Sequence, residues 1–165
     1  MSTTQHRKTA PATVRCFVLT ISDTRSEAND VSGDWITSLL AQAGHVVEGR
    51  ALVRDDPAAV EQAIREQAPA VEVIISTGGT GITSRDSTFE AIDRLLEKRM
   101  DGFGELFRML SYDEIGSAAM LTRACAGTVG RAAVFSLPGS EHAVRLGMTK
   151  LILPEIGHVV RELNR

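Results

Sequence analysis

Short solid apolar runs alternate along the chain with stripes of apolar residues at helical spacing, and this order predicts the fold. Val14 to Ser22 is an apolar run rich in β-branched residues, which reads as a buried strand. Ile36, Leu39, Leu40 and Ala43 then recur at helical spacing, with Gly44 placed as a C-cap. His45 to Val53 reads as a second strand. Asp56-Pro57 signals a helix start, and Val60, Ala63, Ile64 and Ala68 supply that helix's buried stripe. Val71 to Ser76 is a third strand. Ser87 and Glu90 predict a capping box, ahead of a helix whose core face is Ile92, Leu95, Leu96 and Met100.

The segment from Gly102 to Gly116 is less regular, with a helical turn predicted over Leu106 to Leu110. Ala118 to Ala124 reads as helix and Ala132 to Leu137 as strand. A long helix begins near Ser140, and Pro154 inside it is expected to bend it. Strands alternating with helices imply βαβ crossovers. The predicted fold class is therefore α/β, a mostly parallel sheet with helices on both faces. Ligands of such sheets bind at the carboxyl ends of the strands.

The length of 165 residues fits one domain, since a single core serves roughly 100–200 residues. Met1 to Thr13 is polar and reads as a disordered arm, leaving 14–165 as the domain. Apolar residues make up 43% of the chain, enough for a core without disulfide or metal staples. A formal charge of -3 argues against sequence-independent nucleic-acid binding. No run approaches the roughly 18 apolar residues of a membrane span, so a cytoplasmic location is expected. Cys16 and Cys125 each sit in apolar or alanine-rich surroundings and read as buried and inert.

The strand ends carry the candidate chemistry. Thr77-Gly78-Gly79-Thr80-Gly81 follows a buried strand. Its glycines allow positive φ and close backbone approach, while Thr77 and Thr80 add hydroxyls, a combination suited to an anion or a polar heterocycle. The spacing matches neither GxGxxG nor a Walker A loop. Asp55 and Asp86 are expected on the same rim, where two carboxylates beside an anion loop suit Mg²⁺. Asp86 has a plainer reading as a helix-start charge, and the neighbouring Asp56 reads as an N-cap. Pro138-Gly139-Ser140 repeats the strand–glycine–hydroxyl arrangement, with Ser140 an N-cap in its plainer reading. Ser22-Asp23 closes the first strand.

These motifs, with Gly102-Phe103-Gly104-Glu105, resemble the MogA/MoaB family of molybdenum-cofactor biosynthesis proteins over Val14 to Leu163. The stretch from Gly102 to Ser111 is closer to the MoaB branch. Phe89 stands in a region where the family often has proline. The resemblance implies a three-layer molybdopterin-binding fold and a homotrimer or hexamer. It implies adenylylation of molybdopterin by Mg²⁺-ATP with release of pyrophosphate, and a possible molybdenum-insertion protein as partner. It places Asp55 and Asp86 as catalytic and metal-binding acids. Ser22, Asp23, Thr77, Gly78, Gly79, Thr80, Gly81, Glu105, Pro138, Gly139 and Ser140 would line the substrate pocket. The alternative is a non-catalytic molybdopterin-binding or assembly protein of the MoaB type.

Overall fold

A computed structural model describes residues 9–165. Strand β1 (Arg15–Ile21) is followed by helix α1 (Val31–Gln42), strand β2 (Val46–Val53) and helix α2 (Pro57–Gln67). Strand β3 (Val73–Thr77), helix α3 (Thr88–Leu95), the short strand β4 (Lys98–Arg99) and helix α4 (Asp101–Ile115) come next. A 3₁₀ turn over Gly116–Leu121 leads to strands β5 (Cys125–Val129) and β6 (Ala132–Leu137). Helix α5 (Glu141–Gly147), a π-helical turn (Met148–Ile152) and helix α6 (Leu153–Leu163) complete the chain.

Among the described residues the strands form one six-stranded sheet in the order β2-β1-β3-β6-β5-β4. β2, β1, β3 and β6 run parallel, whereas β5 and β4 pair antiparallel at the edge. Alternating side chains divide the core between the two faces, as strand pleating requires. Cys16, Val18, Val73, Ile75 and Phe135 pack in one cluster with Ile36 of α1, Phe103 and Phe107 of α4, and Ile156 and Val160 of α6. Phe17, Leu19, Ile21, Ile74 and Val134 form the other with Val60 and Ile64 of α2 and Ile92 of α3. The sheet is thus the middle of three layers.

Several local expectations need correction. The helix read through Met100 stops at Leu95, because Leu96 turns to an extended backbone and leads into β4. The Ser87–Glu90 capping box does not form: Ser87 makes no side-chain cap bond, and Glu90 pairs with Arg123. Where a helix was expected over Ala118–Ala124, the chain makes the 3₁₀ turn and then enters β5. α4 is a full helix despite Gly102 and Gly104. The bend expected at Pro154 takes the form of the π-helical turn just before it, whose extra width accommodates a residue with no N–H to donate.

Of the arm expected over 1–13, residues 1–8 lie outside the described residues. Thr13, at its end, donates its hydroxyl to the Gly44 carbonyl at 3.2 Å. Cys16 and Cys125 are buried, and burial, aided by the charges of Glu72 and Asp93 respectively, pushes both thiols up to about 12. Neither is a nucleophile at neutral pH.

Candidate active site at the strand ends

The carboxyl ends of β1, β3 and β6 meet through backbone contacts that only glycine permits. Gly78 has φ +95°, and a Cβ there would collide with the Ile21 carbonyl oxygen. Gly79 has φ +70°, and its Cβ would come within 2.9 Å of the Thr88 side chain at the start of α3. A Cβ on Gly139 would lie 3.3 Å from Gly78 Cα. The Gly78 N–H donates to the Leu137 carbonyl at 3.0 Å, and the Thr77 hydroxyl donates to the Pro138 carbonyl at 3.0 Å. Thr77 is buried and its hydroxyl joins the two loops, so it does not offer the ligand donor expected from the sequence.

The glycine loop is exposed beyond that seam. Among the described residues, the N–H groups of Gly79, Thr80, Gly81 and Ile82 donate to no protein acceptor. Such a row of unengaged amides is what an anion needs. Asp86 lies against the same loop, where its carboxylate accepts the Thr83 N–H at 2.7 Å. Hydrogen bonds from Thr83, assisted by the charges of Arg123 and Arg85, hold its carboxyl below the usual range.

Asp55 and Asp23 meet on the neighbouring part of the rim. The Asp55 N–H donates to the Asp23 carboxylate at 3.1 Å, and Oδ1 of Asp55 is buried with no hydrogen-bond partner. Ser22 Oγ accepts the N–H groups of Thr24 at 3.2 Å and Arg25 at 3.1 Å, which folds the loop after β1. Asp55 and Asp86 follow β2 and β3, two strands separated by β1. Among the described residues, no three of His, Cys, Asp and Glu are grouped so as to hold a metal ion.

Ser140 caps α5, accepting the Ala143 N–H at 3.1 Å. With Pro138 and His142 it lines a cavity of about 290 Å³ over Phe107 and Leu146. Glu105 projects from α4 into a second cavity, of about 350 Å³, beside Arg99, Arg108 and Arg123. A wider one of about 740 Å³ lies at the opposite end of the strands, around Arg15, Arg65 and Arg131. There Arg15 donates to the Ala70 carbonyl just past α2 at 3.1 Å, a place where helix dipoles favour cations and disfavour an anionic ligand.

Sequence reasoning missed the groups that support these loops. Asp30, fully buried at the start of α1, accepts the Thr20 hydroxyl at 2.6 Å, Arg50 Nη2 at 2.6 Å and the Gly33 N–H at 3.1 Å. Arg25 lies 3.6 Å from Asp30 and donates to the Gly139 carbonyl at 2.8 Å, which also accepts the Ser32 hydroxyl at 2.8 Å. Arg123 donates from Nε to the Thr80 carbonyl at 3.1 Å and from Nη2 to the Gly81 carbonyl. These partners lie far apart in sequence, so no local pattern marks them.

The family model described as "Probable molybdopterin binding domain" matches residues 17–158. The chain belongs to the MogA/MoaB family of molybdenum-cofactor biosynthesis proteins. It is 54% identical over 168 residues to molybdenum cofactor biosynthesis protein B of Bacillus cereus, covering 100% of this chain and 99% of that one. A crystal structure of a molybdenum cofactor biosynthesis protein B superposes with a TM-score of 0.90 at 54% identity, covering 94% of this chain and 99% of that one. The tungsten cofactor synthesizing protein MoaB from Pyrococcus furiosus superposes with a TM-score of 0.85 at 40% identity, covering 94% and 100% respectively. The three-layer fold with helices on both faces of the sheet is that of these relatives.

Proposed function

We propose that the protein adenylylates molybdopterin with Mg²⁺-ATP, releasing pyrophosphate. The observation that carries this reading is the row of unengaged N–H groups from Gly79 to Ile82 beside the Asp86 carboxylate. The amides bind phosphate oxygens and orient them. Thr77, Gly78 and Gly139 keep the loops of β3 and β6 in register, so that both substrates are held on one rim. The molybdopterin phosphate oxygen attacks the α-phosphorus, a new P–O–P bridge forms, and the bond to the β-phosphate breaks. Positioning and charge stabilisation suffice for such a transfer.

Mg²⁺ fits the donor present at one acid: Asp55 Oδ1 is a buried oxygen without a partner, the kind of hard ligand this ion takes beside phosphates and water. Asp55 and Asp86 would hold it, and when bound it supplies neutralisation of phosphate charge. The exposed apolar side of α4 supports assembly into a homotrimer or hexamer. Among the described residues no helix is long and apolar enough to cross a membrane.

Asp86→Asn tests the reaction selectively. Asparagine keeps an oxygen for the Thr83 N–H and removes only the charge. Formation of adenylylated pterin, followed by mass, should fall by about a hundredfold or more, while the variant stays folded with only a small drop in melting temperature. Undiminished turnover in this variant would overturn the catalytic role of Asp86. A second reading, a non-catalytic molybdopterin-binding or assembly protein, is favoured by one observation: the Asp86 carboxylate already braces its own loop. Under that reading the wild-type protein binds the pterin and forms no product.

A further inference from the structure

Arg123 lies just before β5, more than forty residues beyond the glycine loop in sequence, yet its guanidinium is committed to that loop. Nε and Nη2 donate to the consecutive carbonyls of Thr80 and Gly81. Nη1 pairs with Glu90 on α3, and the planar group lies 4.5 Å above the Phe89 ring. Phe89 and Glu90 thus form a seat that fixes the arginine before it touches the loop. The side chain is only 22% exposed.

The consequence for the loop follows from peptide geometry. In a planar trans peptide the C=O and the next N–H point in opposite directions. Turning the Thr80 and Gly81 carbonyls toward Arg123 therefore turns the N–H groups of Gly81 and Ile82 away from it. A segment with three glycines in four positions has high backbone entropy when free. Holding two of its peptide planes in advance removes part of the ordering that binding would otherwise require.

We propose that Arg123 is a positioning residue, which fixes the glycine loop with its amides presented to the phosphate-bearing ligand and does not itself contact that ligand. The role as a phosphate-facing loop rests on the reading given above, whereas the pinning of the loop does not. A surface arginine awaiting an anion would be open and uncompensated. Here one face is covered by Phe89, the charge is matched by Glu90, and two donors are held by backbone carbonyls.

Glu90→Gln separates positioning from direct contact by the sign of its effect. If Arg123 met the ligand's charge, loss of the Glu90 carboxylate would free the guanidinium and tighten binding. If it positions the loop, the seat loosens and binding weakens. Isothermal titration with Mg²⁺-ATP should show about tenfold weaker binding for Glu90→Gln and a larger loss for Arg123→Ala, with Arg123→Lys intermediate. Amide hydrogen exchange should rise by about tenfold or more at the hydrogen-bonded amides within 78–86, those of Gly78, Thr83 and Asp86, in Arg123→Ala. The peptides of β3 and α4 in the same protein should keep wild-type exchange, which shows that the variant is folded. Unchanged exchange in 78–86, or tighter binding by Glu90→Gln, would overturn the proposal. If the wild-type protein binds no Mg²⁺-ATP, the nucleotide reading fails, and the exchange experiment still decides whether Arg123 positions the loop.

Discussion

Asp30 joins β1, β2 and α1 through one fully buried carboxylate. Burial alone would raise its pKa, but hydrogen bonds from Thr20, Arg50 and the Gly33 N–H hold it below the ordinary carboxylate value. Because the folded state binds this proton less readily than the unfolded chain, the stabilisation is complete above the unfolded value of roughly 4. It is lost as pH falls through the folded value. Asp30→Asn removes the charge and leaves Arg50 partly buried beside a neutral amide. It should cost about 3 kcal/mol at neutral pH, with a smaller difference from wild type in strong acid. Melting curves from pH 7 down to pH 3 check both parts, and parallel curves would show that another carboxylate governs acid unfolding. Gly78→Ala belongs to the same scale. With φ +95° and the Ile21 carbonyl where a Cβ would sit, it should cost at least about 2 kcal/mol. Gly130→Ala, at φ +58° with open space around it, should cost only about 1 kcal/mol.

In α4 two glycines of the same helix make opposite predictions. Nothing lies within 4 Å of where a Gly102 Cβ would be, so Gly102→Ala should stabilise by roughly 0.5–1 kcal/mol through backbone entropy alone. A Cβ on Gly104 would come within 2.6 Å of the Ala124 carbonyl oxygen, and here the collision outweighs the helix preference. Gly104→Ala should destabilise by about 2 kcal/mol, and thermal melting of the pair tests whether α4 is held against the chain entering β5. Gly104 also explains why α4 was only partly legible in the sequence, since a residue that disfavours a helix stands where the fold needs close approach. β5 was hidden for a related reason: Cys125-Ala126-Gly127 has little strand preference, and pairing between β4 and β6 decides its state. β1 and β3 were legible because burial on both faces selects solid apolar runs. Of the site, the glycine loop and the strand-end acids could be read locally. Arg123, Arg25 and Asp30 could not, because each acts across distant parts of the chain.

At the scale of the whole molecule, α4 and the 3₁₀ turn after it carry an unusual surface. Leu106, Met109, Tyr112 and Ile115 follow one another at intervals of three along the helix, and Met120 and Leu121 continue from the turn, all exposed. Tyr112 is 63% and Met120 79% exposed. Single apolar residues scattered over a surface need no partner, but six within one helix–turn segment support the proposed assembly. In the proposed homotrimer or hexamer, a self-complementary or ring-closing contact places the same residues in every copy. The wild-type protein should therefore sediment as a trimer or hexamer, and its melting temperature should rise with protein concentration, as mass action requires when folding and assembly are linked. Met109→Glu combined with Tyr112→Glu puts charges into the apolar face without touching buried Phe103 or Phe107. That variant should sediment as a monomer, with a lower melting temperature that no longer depends on concentration. A wild-type monomer would remove the assembly, and a double variant that assembles normally would move the interface away from α4.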